Sequence, residues 1–363
     1  MGARRRRPSR ECSPIRVWPI SMRISPSPAA LRRASIAAER LLLALCVLVM
    51  HDTSGGIRLS PIMPVTPANS TVWRIVHFPL TLIVIAIVAI IAAVLLSSGI
   101  SHAIPHAGND WLALLVSVLV ALVFVAMYAA FVRLIERRPR IDEFAWSGWA
   151  GELGGGLLTG AVLFSTVVAV IALGGGYHVV GTRSVAVLVP VLALAIVSGV
   201  TEEIVFRGLF FRLIERWLGT WVALAASAAF FGLGHIANPH SSWLAATAIA
   251  LEAGIMLGGI YLITRRLWAA IGVHAAWNFV QGGIFGIPVS GGAVDGLLRP
   301  RISGSDLLTG GAFGAEASLP AIIVATAFGI VVVIIAHRRG RFVAPFWLRN
   351  DKQPAASAPG EGI

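Results

Sequence analysis

Three pairs of residues in this chain combine chemistry-bearing side chains at helical spacing within apolar sequence. They are Glu203 and Arg207 in Thr201-Glu202-Glu203-Ile204-Val205-Phe206-Arg207, Phe231 and His235 in Phe231-Gly232-Leu233-Gly234-His235, and His274 and Asn278 in His274-Ala275-Ala276-Trp277-Asn278. Each is an i, i+4 arrangement, so its two members lie on one face of a helix. Glu203 and Arg207 can therefore pair, while Glu202, one residue earlier, points about 100° away and stays free. A carboxylate in a poorly solvated pocket has its pKa raised toward neutrality and can take a proton from water, with a histidine to orient the water or relay the proton. Glu202 with His235 fits that role. His274 and Asn278, one turn apart, are donors that can reach a developing oxyanion. Together these types describe a hydrolytic site, with Glu202, His235, His274 and Asn278 as reacting groups and Glu203, Arg207 and Phe231 as their supports.

Ionisable side chains within apolar runs cost several kcal/mol each, so each needs a reason to be there. A single buried Glu-Arg pair is as often a lock between helices or part of a transport path. Asn278 alone reads as an interhelical hydrogen bond and Phe231 alone as packing. The coincidence of three arrangements is what favours chemistry.

The elements that must position them are membrane helices. Only 13% of the 363 residues are charged and 57% are hydrophobic, whereas soluble domains carry roughly a quarter charged residues. Apolar runs long enough to span occur at about 75–98, 111–132, 154–175, 184–205, 219–237, 242–263, 267–286 and 319–337, which predicts an all-α, polytopic membrane bundle of about eight helices. The net charge of +12 is carried by arginines in the N-terminal region and in alternate short connections, a pattern that encodes topology and excludes a nucleic-acid footprint. Arg133 to Arg140, Arg212 and Arg216, Arg265 and Arg266, and Arg338 to Arg341 mark one side. The connections 99–110 and 238–241 hold no Lys or Arg and 176–183 holds one, so both termini are expected in the cytoplasm of a multi-pass cell-membrane protein. Arg299 and Arg301, in the long 287–318 connection, run against the pattern.

Residues 71–345 form the expected transmembrane domain, with its motif core at 183–286. Residues 1–70 are an Arg/Ser/Pro-rich arm expected to be disordered, whose apolar patch from Leu41 to Met50 is too short to cross a bilayer. A true start at Met50 or Met63 fits the same stretch. Residues 346–363 are expected to be a disordered tail. Cys12 and Cys46 imply neither a disulfide framework nor thiol chemistry. Glycine runs such as Gly154 to Gly156, and the pair Gly258 and Gly259, lack the strand context and lysine of a phosphate loop and read as close helix contacts in lipid.

Depth is consistent with one site. Leu218-Gly219 reads as the turn of a helical hairpin with Glu202 and His235 at matching height. At 1.5 Å per residue His274 lies roughly 12 Å from the Arg265 end and Glu202 roughly 21 Å from Arg216, so a kink is needed to bring them level. Asn238-Pro239 is expected to stop the His235 helix and admit water or substrate.

The order Glu-Glu-x-x-x-Arg, Phe-x-x-x-His, His-x-x-x-Asn resembles the CPBP family, the type II CAAX prenyl endopeptidases and bacteriocin-processing or self-immunity proteins, also called the Abi family. The resemblance covers about 183–286 and none of these positions departs from the pattern. It implies an eight-helix intramembrane protease in which Glu202 and His235 activate water, Glu203 and Arg207 support them, and His274 and Asn278 stabilise the oxyanion, with the site open toward the cytosolic half of the bilayer. Family members were once classed as metalloproteases. A divalent ion is not favoured here, since nothing in the spacing enforces a ligand cage, and no cofactor is expected. The implied partners are the lipid bilayer and a peptide or membrane-protein substrate, lipidated or not. Two other classes stay open: a non-catalytic membrane scaffold or immunity protein, and a proton-coupled transporter.

Overall fold

The computed structural model describes residues 71–104 and 106–349. The N-terminal arm at 1–70 and all but the start of the C-terminal tail lie outside the described residues. The chain is a helix bundle whose apolar runs become α1 (Pro79–Ala103), α2 (Asp110–Ala130), α3 (Trp149–Leu173), α4 (Leu188–Glu203), α5 (Arg212–Gly234), α6 (Trp243–Ile249), α7 (Ile255–Thr264), α8 (Trp268–Asn278) and α9 (Leu319–Arg338). Local chemistry sets several of the starts. Pro79 opens α1, the Asn109 side chain accepts from the Leu112 N–H before α2, and Ser318 accepts from Ala321 N–H with Pro320 just inside α9.

Six helices among the described residues are long and apolar enough to cross a membrane, against about eight expected spans. The difference arises at two places. Val185–Gly234 is one continuous run of helical hydrogen bonding, yet it doubles back at Gly219, whose φ of 82° is open to glycine. The Ser227 hydroxyl consequently bonds the Phe206 carbonyl across the hairpin. The second place is α8, which continues as a π-helical segment, Phe279–Ile284, without reaching the length of a full span. The one sheet among the described residues is a two-stranded antiparallel ribbon, β1 (Tyr177–Thr182) on β2 (Leu298–Ile302), pairing Tyr177 with Ile302 and Thr182 with Leu298.

Side chains such as Val84, Val88, Ile91 and Leu95 on α1 are exposed and apolar. That outer surface suits lipid rather than water. The interior holds Tyr128, Ile204, Leu209, Phe211 and Tyr261 in one cluster and Phe164, Val273 and Trp277 in another.

Arginines gather at one end of the bundle. Arg212 pairs with Glu136 at 2.8 Å, Arg138 with Glu143 at 2.9 Å, Arg266 with Glu152 at 2.6 Å, and Arg265 bonds both Glu215 and the Arg341 carbonyl. The described termini meet the same end, through Arg137 over Trp73 and the hydrogen bond from Arg349 to the Arg216 carbonyl. Phe346–Leu348, at the start of the C-terminal tail, form a 3-10 turn. The β1–β2 ribbon, the 238–241 turn and the 287–297 loop lie at the opposite end.

Two helix contacts set the site. Added Cβ atoms at Gly156 and Gly160 on α3 would lie 2.3 Å from the Ala269 and Val273 carbonyl oxygens on α8, so only glycine lets these backbones touch. Gly154 and Gly155 face open space, so of that run only Gly156 makes the expected close contact. A Cβ at Gly199 would meet Ala275 Cβ at 3.0 Å, which draws α4 against α8 and sets the two glutamates beside His274.

Candidate active site

Helical geometry changes at each chemical segment. α4 passes into a π-helical stretch, Ile204–Phe211, directly after Glu203; α8 does so after Asn278; and a third, Ala250–Gly254, follows α6. Such insertions leave backbone carbonyls free of regular pairing and occur often at functional sites. Here two of those carbonyls are used. Arg207 Nη2 donates to the Ala253 and Gly254 oxygens at 3.0 and 3.3 Å.

Glu203 and Arg207 are both fully buried, with Nη1 donating to Oε1 at 2.8 Å. The same Oε1 lies 3.0 Å from His274 Nδ1. The guanidinium sits 4.6 Å over the Phe231 ring, whose edge also meets His274. Phe231 is thus a spacer that keeps the buried cation in place between the histidine-bearing helices.

His235 is the first residue beyond α5, which ends at Gly234, before Asn238-Pro239 rather than at it. Its Nδ1 donates to the Phe231 carbonyl at 2.7 Å. This satisfies a carbonyl that the helix end leaves open, and it explains the i, i+4 spacing of the second motif. It also directs Nε2 at the site. Glu202 Oε2 lies 3.8 Å from that Nε2 and 3.9 Å from His274 Nε2. Glu202 is partly exposed.

Asn278 Nδ2 donates to Ser198 Oγ at 2.9 Å, and Ser198 lies one turn before Glu202 on α4. The structure therefore brings Glu202, Glu203, Arg207, Phe231, His235, His274 and Asn278 together. Just before α8, Leu267 is fully buried with its N–H bonded to the Glu143 carbonyl, while Arg265 and Arg266 stay partly exposed.

A cavity of about 270 Å³ opens beside Glu202, lined by Ser198, His235, Asn238, His274, Asn278 and Ser290. Its rim includes Leu194, Pro239 and Gly292, at the end of the bundle away from the arginine cluster. Among the described residues no group of three or more His, Cys, Asp or Glu is arranged to hold a metal ion. Sequence reading missed Ser198, Ser290, Glu252 and Glu316, all lining the site's cavities. Glu252 was detectable as an ionisable residue inside an apolar run; Ser290 and Glu316 stand in a loop, where nothing marks them.

Carboxylates and histidines thus converge on a pocket inside a multi-pass helix bundle. Residues 183–280 match the family described as Type II CAAX prenyl endopeptidase Rce1-like, and the matched segment holds every residue from Glu202 to Asn278 named above. The match covers about a quarter of the chain and supports a CAAX-protease-family assignment for that segment. No curated protein and no solved structure matches it.

Proposed function

We propose that this protein is an intramembrane glutamic endopeptidase that hydrolyses a peptide bond with water activated by Glu202. The observation that carries the reading is the position of Glu202 Oε2, 3.8 and 3.9 Å from the Nε2 atoms of His235 and His274. A water oxygen at ordinary hydrogen-bond distance fits between Oε2 and either Nε2. Glu202 takes the water proton as oxygen adds to the carbonyl carbon, and His235, an acceptor at Nε2, orients the water and passes the proton to the departing amine. His274, as an imidazolium donating through Nδ1 to Glu203 and through Nε2 into the pocket, and Asn278, held by Ser198, offer donors to the oxyanion. The Glu203–Arg207 pair fixes that geometry from behind.

The substrate is a peptide or membrane protein entering from the rim formed by Leu194, Pro239 and Gly292. The arginine-rich end is cytoplasmic by the positive-inside rule, with both described termini there. The pocket then opens toward the other side of the membrane, so the cytosolic opening implied by the family resemblance and the cytoplasmic arginines do not hold together.

The test is cleavage of a library of membrane-embedded and lipidated peptides by purified protein in liposomes, with E202Q as comparison and chelator as a second arm. Cleavage lost in E202Q and untouched by chelator supports glutamate-activated water. Loss with chelator overturns it in favour of a metal. No cleavage by wild type, with E202Q equal to wild type in cells, leaves a scaffold; proton-coupled flux without cleavage leaves a transporter.

A further inference from the structure

Behind the proposed reacting groups lies a smaller cavity of about 30 Å³, room for roughly one water. His235, His274, Asn278 and Ser290 line both cavities and form the wall between them. The small cavity also carries the carboxyl groups of Glu252, from the π-helical segment after α6, and Glu316, from the connection before α9. Neither belongs to the three motifs.

Both carboxyls are buried, 2% and 3% exposed, and each keeps one oxygen without a hydrogen-bond partner. They line one cavity, Glu316 lies near enough for its charge to act on Glu252, and among the described residues neither forms an ion pair with Arg or Lys. Two buried carboxylates without a cation are untenable, because each needs charge compensation and each repels the other. Ser290 and Gln281 offer hydrogen bonds to Glu316, and His235 lines the same cavity. Burial pushes the Glu316 carboxyl above its ordinary range, against those contacts.

We infer that Glu252 and Glu316 form a second carboxyl pair that holds at least one proton and positions His235 electrostatically, keeping its imidazole neutral with Nε2 free to accept. The inference rests on the water-activating role proposed for His235. Five charged or titratable groups surround that ring: Glu202 on α4, His274 on α8, Glu252 after α6, Glu316 before α9, and Arg207 across the Phe231 ring. Glu202 already places one carboxylate 3.8 Å from the ring's Nε2. A fully ionised Glu316 would add a second and remove the acceptor that water activation needs. Sharing a proton with Glu252 prevents this.

The pair explains why the 287–318 connection folds inward. The Gly291 N–H bonds the Phe313 carbonyl at 2.7 Å, and Ala315 to Ala317 are buried, which brings Ser290 and Glu316 to the same cavity wall. Glu252 and Glu316 are thus positioning residues, acting on substrate only through His235.

The test combines a readout of the proton with a readout of the histidine, on full-length protein in liposomes. Infrared spectroscopy at neutral pH is expected to show a protonated-carboxyl C=O band that E202Q retains and E252Q/E316Q lacks. In the peptide-library assay, E252Q frees Glu316 to ionise and moves the acid limb of kcat to higher pH. At neutral pH kcat then falls about tenfold for a one-unit displacement, with KM unchanged. The double variant E252Q/E316Q returns the limb to its wild-type place, which a merely structural defect would not do. A band that survives in the double variant, or an acid limb unmoved in E252Q, overturns the inference. Cleavage that persists in E202Q overturns the water-activating role proposed for Glu202, and the infrared result still judges the pair.

Discussion

His274 and Glu203 lie 3.0 Å apart, Nδ1 to Oε1, on two different helices, and that carboxylate oxygen also accepts from Arg207 at 2.8 Å. The contact fixes which edge of the imidazole faces the pocket, because a ring that donates through Nδ1 presents Nε2 to Glu202. The two adjacent glutamates accordingly have separate tasks, one in the lock and one in the pocket.

That division is measurable as a split between stability and activity. E203Q leaves the buried Arg207 guanidinium without its counter-charge and releases His274, so it should cost about 3–5 kcal/mol and abolish cleavage. E202Q should abolish cleavage with an unchanged or raised melting temperature, since Glu202 Oε2 is buried without a hydrogen-bond partner. Thermal unfolding in detergent, set beside the liposome assay, checks both. Equal melting temperatures for the two variants would contradict the division.

Asn278 and Ser198 should separate in the kinetics. Removing one oxyanion donor costs about 10²–10³ in kcat, so N278A should fall by that amount with a small change in KM. S198A removes only the group that holds the Asn278 amide and should cost less. A larger defect in S198A than in N278A would place the chemistry on Ser198.

How much of this was legible in the sequence depends on the kind of signal. Apolar runs and alternating arginines gave the helices and the shared basic end, since lipid demands long apolar segments and arginines mark the connections. The three motifs gave the cluster, because i, i+4 spacing survives in local structure whatever the tertiary fold. The π-helical segments carry no composition of their own, so the carbonyls offered by Ala253 and Gly254 to Arg207 could not be foreseen. Nor could the in-folding of the 287–318 connection, whose Gly and Ser content is equally that of a plain linker.

The α3–α8 contact predicts a distance effect. A Cβ at Gly160 would overlap the Val273 carbonyl, next to His274, and backbone cannot move aside as a side chain can. G160A should therefore separate α3 from α8, lower stability, and reduce kcat although residue 160 touches none of the reacting groups. G155A, facing open space, should match wild type in both melting and cleavage.

The basic end should carry its own pH dependence. Burial alone would raise the Glu143 carboxyl, but Arg212 and Arg138 outweigh it and hold Glu143 below its ordinary range. A group with a lowered folded pKa contributes stability that is present above its unfolded value, about 4.3, and lost as pH falls through the folded value. Wild type should lose melting temperature steadily below about pH 5, and E143Q, lower at neutral pH, should show a flatter curve across that window. Parallel curves would mean that the arginine cluster does not depend on this carboxylate.

Sidedness distinguishes the two incompatible expectations about the pocket. Ser303, beside the ribbon, is exposed at the pocket's end of the bundle, and Arg339 is exposed at the arginine end. With cytoplasmic arginines, S303C in intact cells should react with a membrane-impermeant thiol reagent, while R339C should react only after permeabilisation. The rim around Pro239 would then receive substrate from outside the cytoplasm, and a prenylated cytosolic C-terminus would have no route to Glu202. The reverse labelling would put the pocket on the cytosolic side. In that case the arginine clusters paired to Glu136, Glu143, Glu152 and Glu215 would be neutralised by their carboxylates, and their count would overstate the positive charge that sets topology.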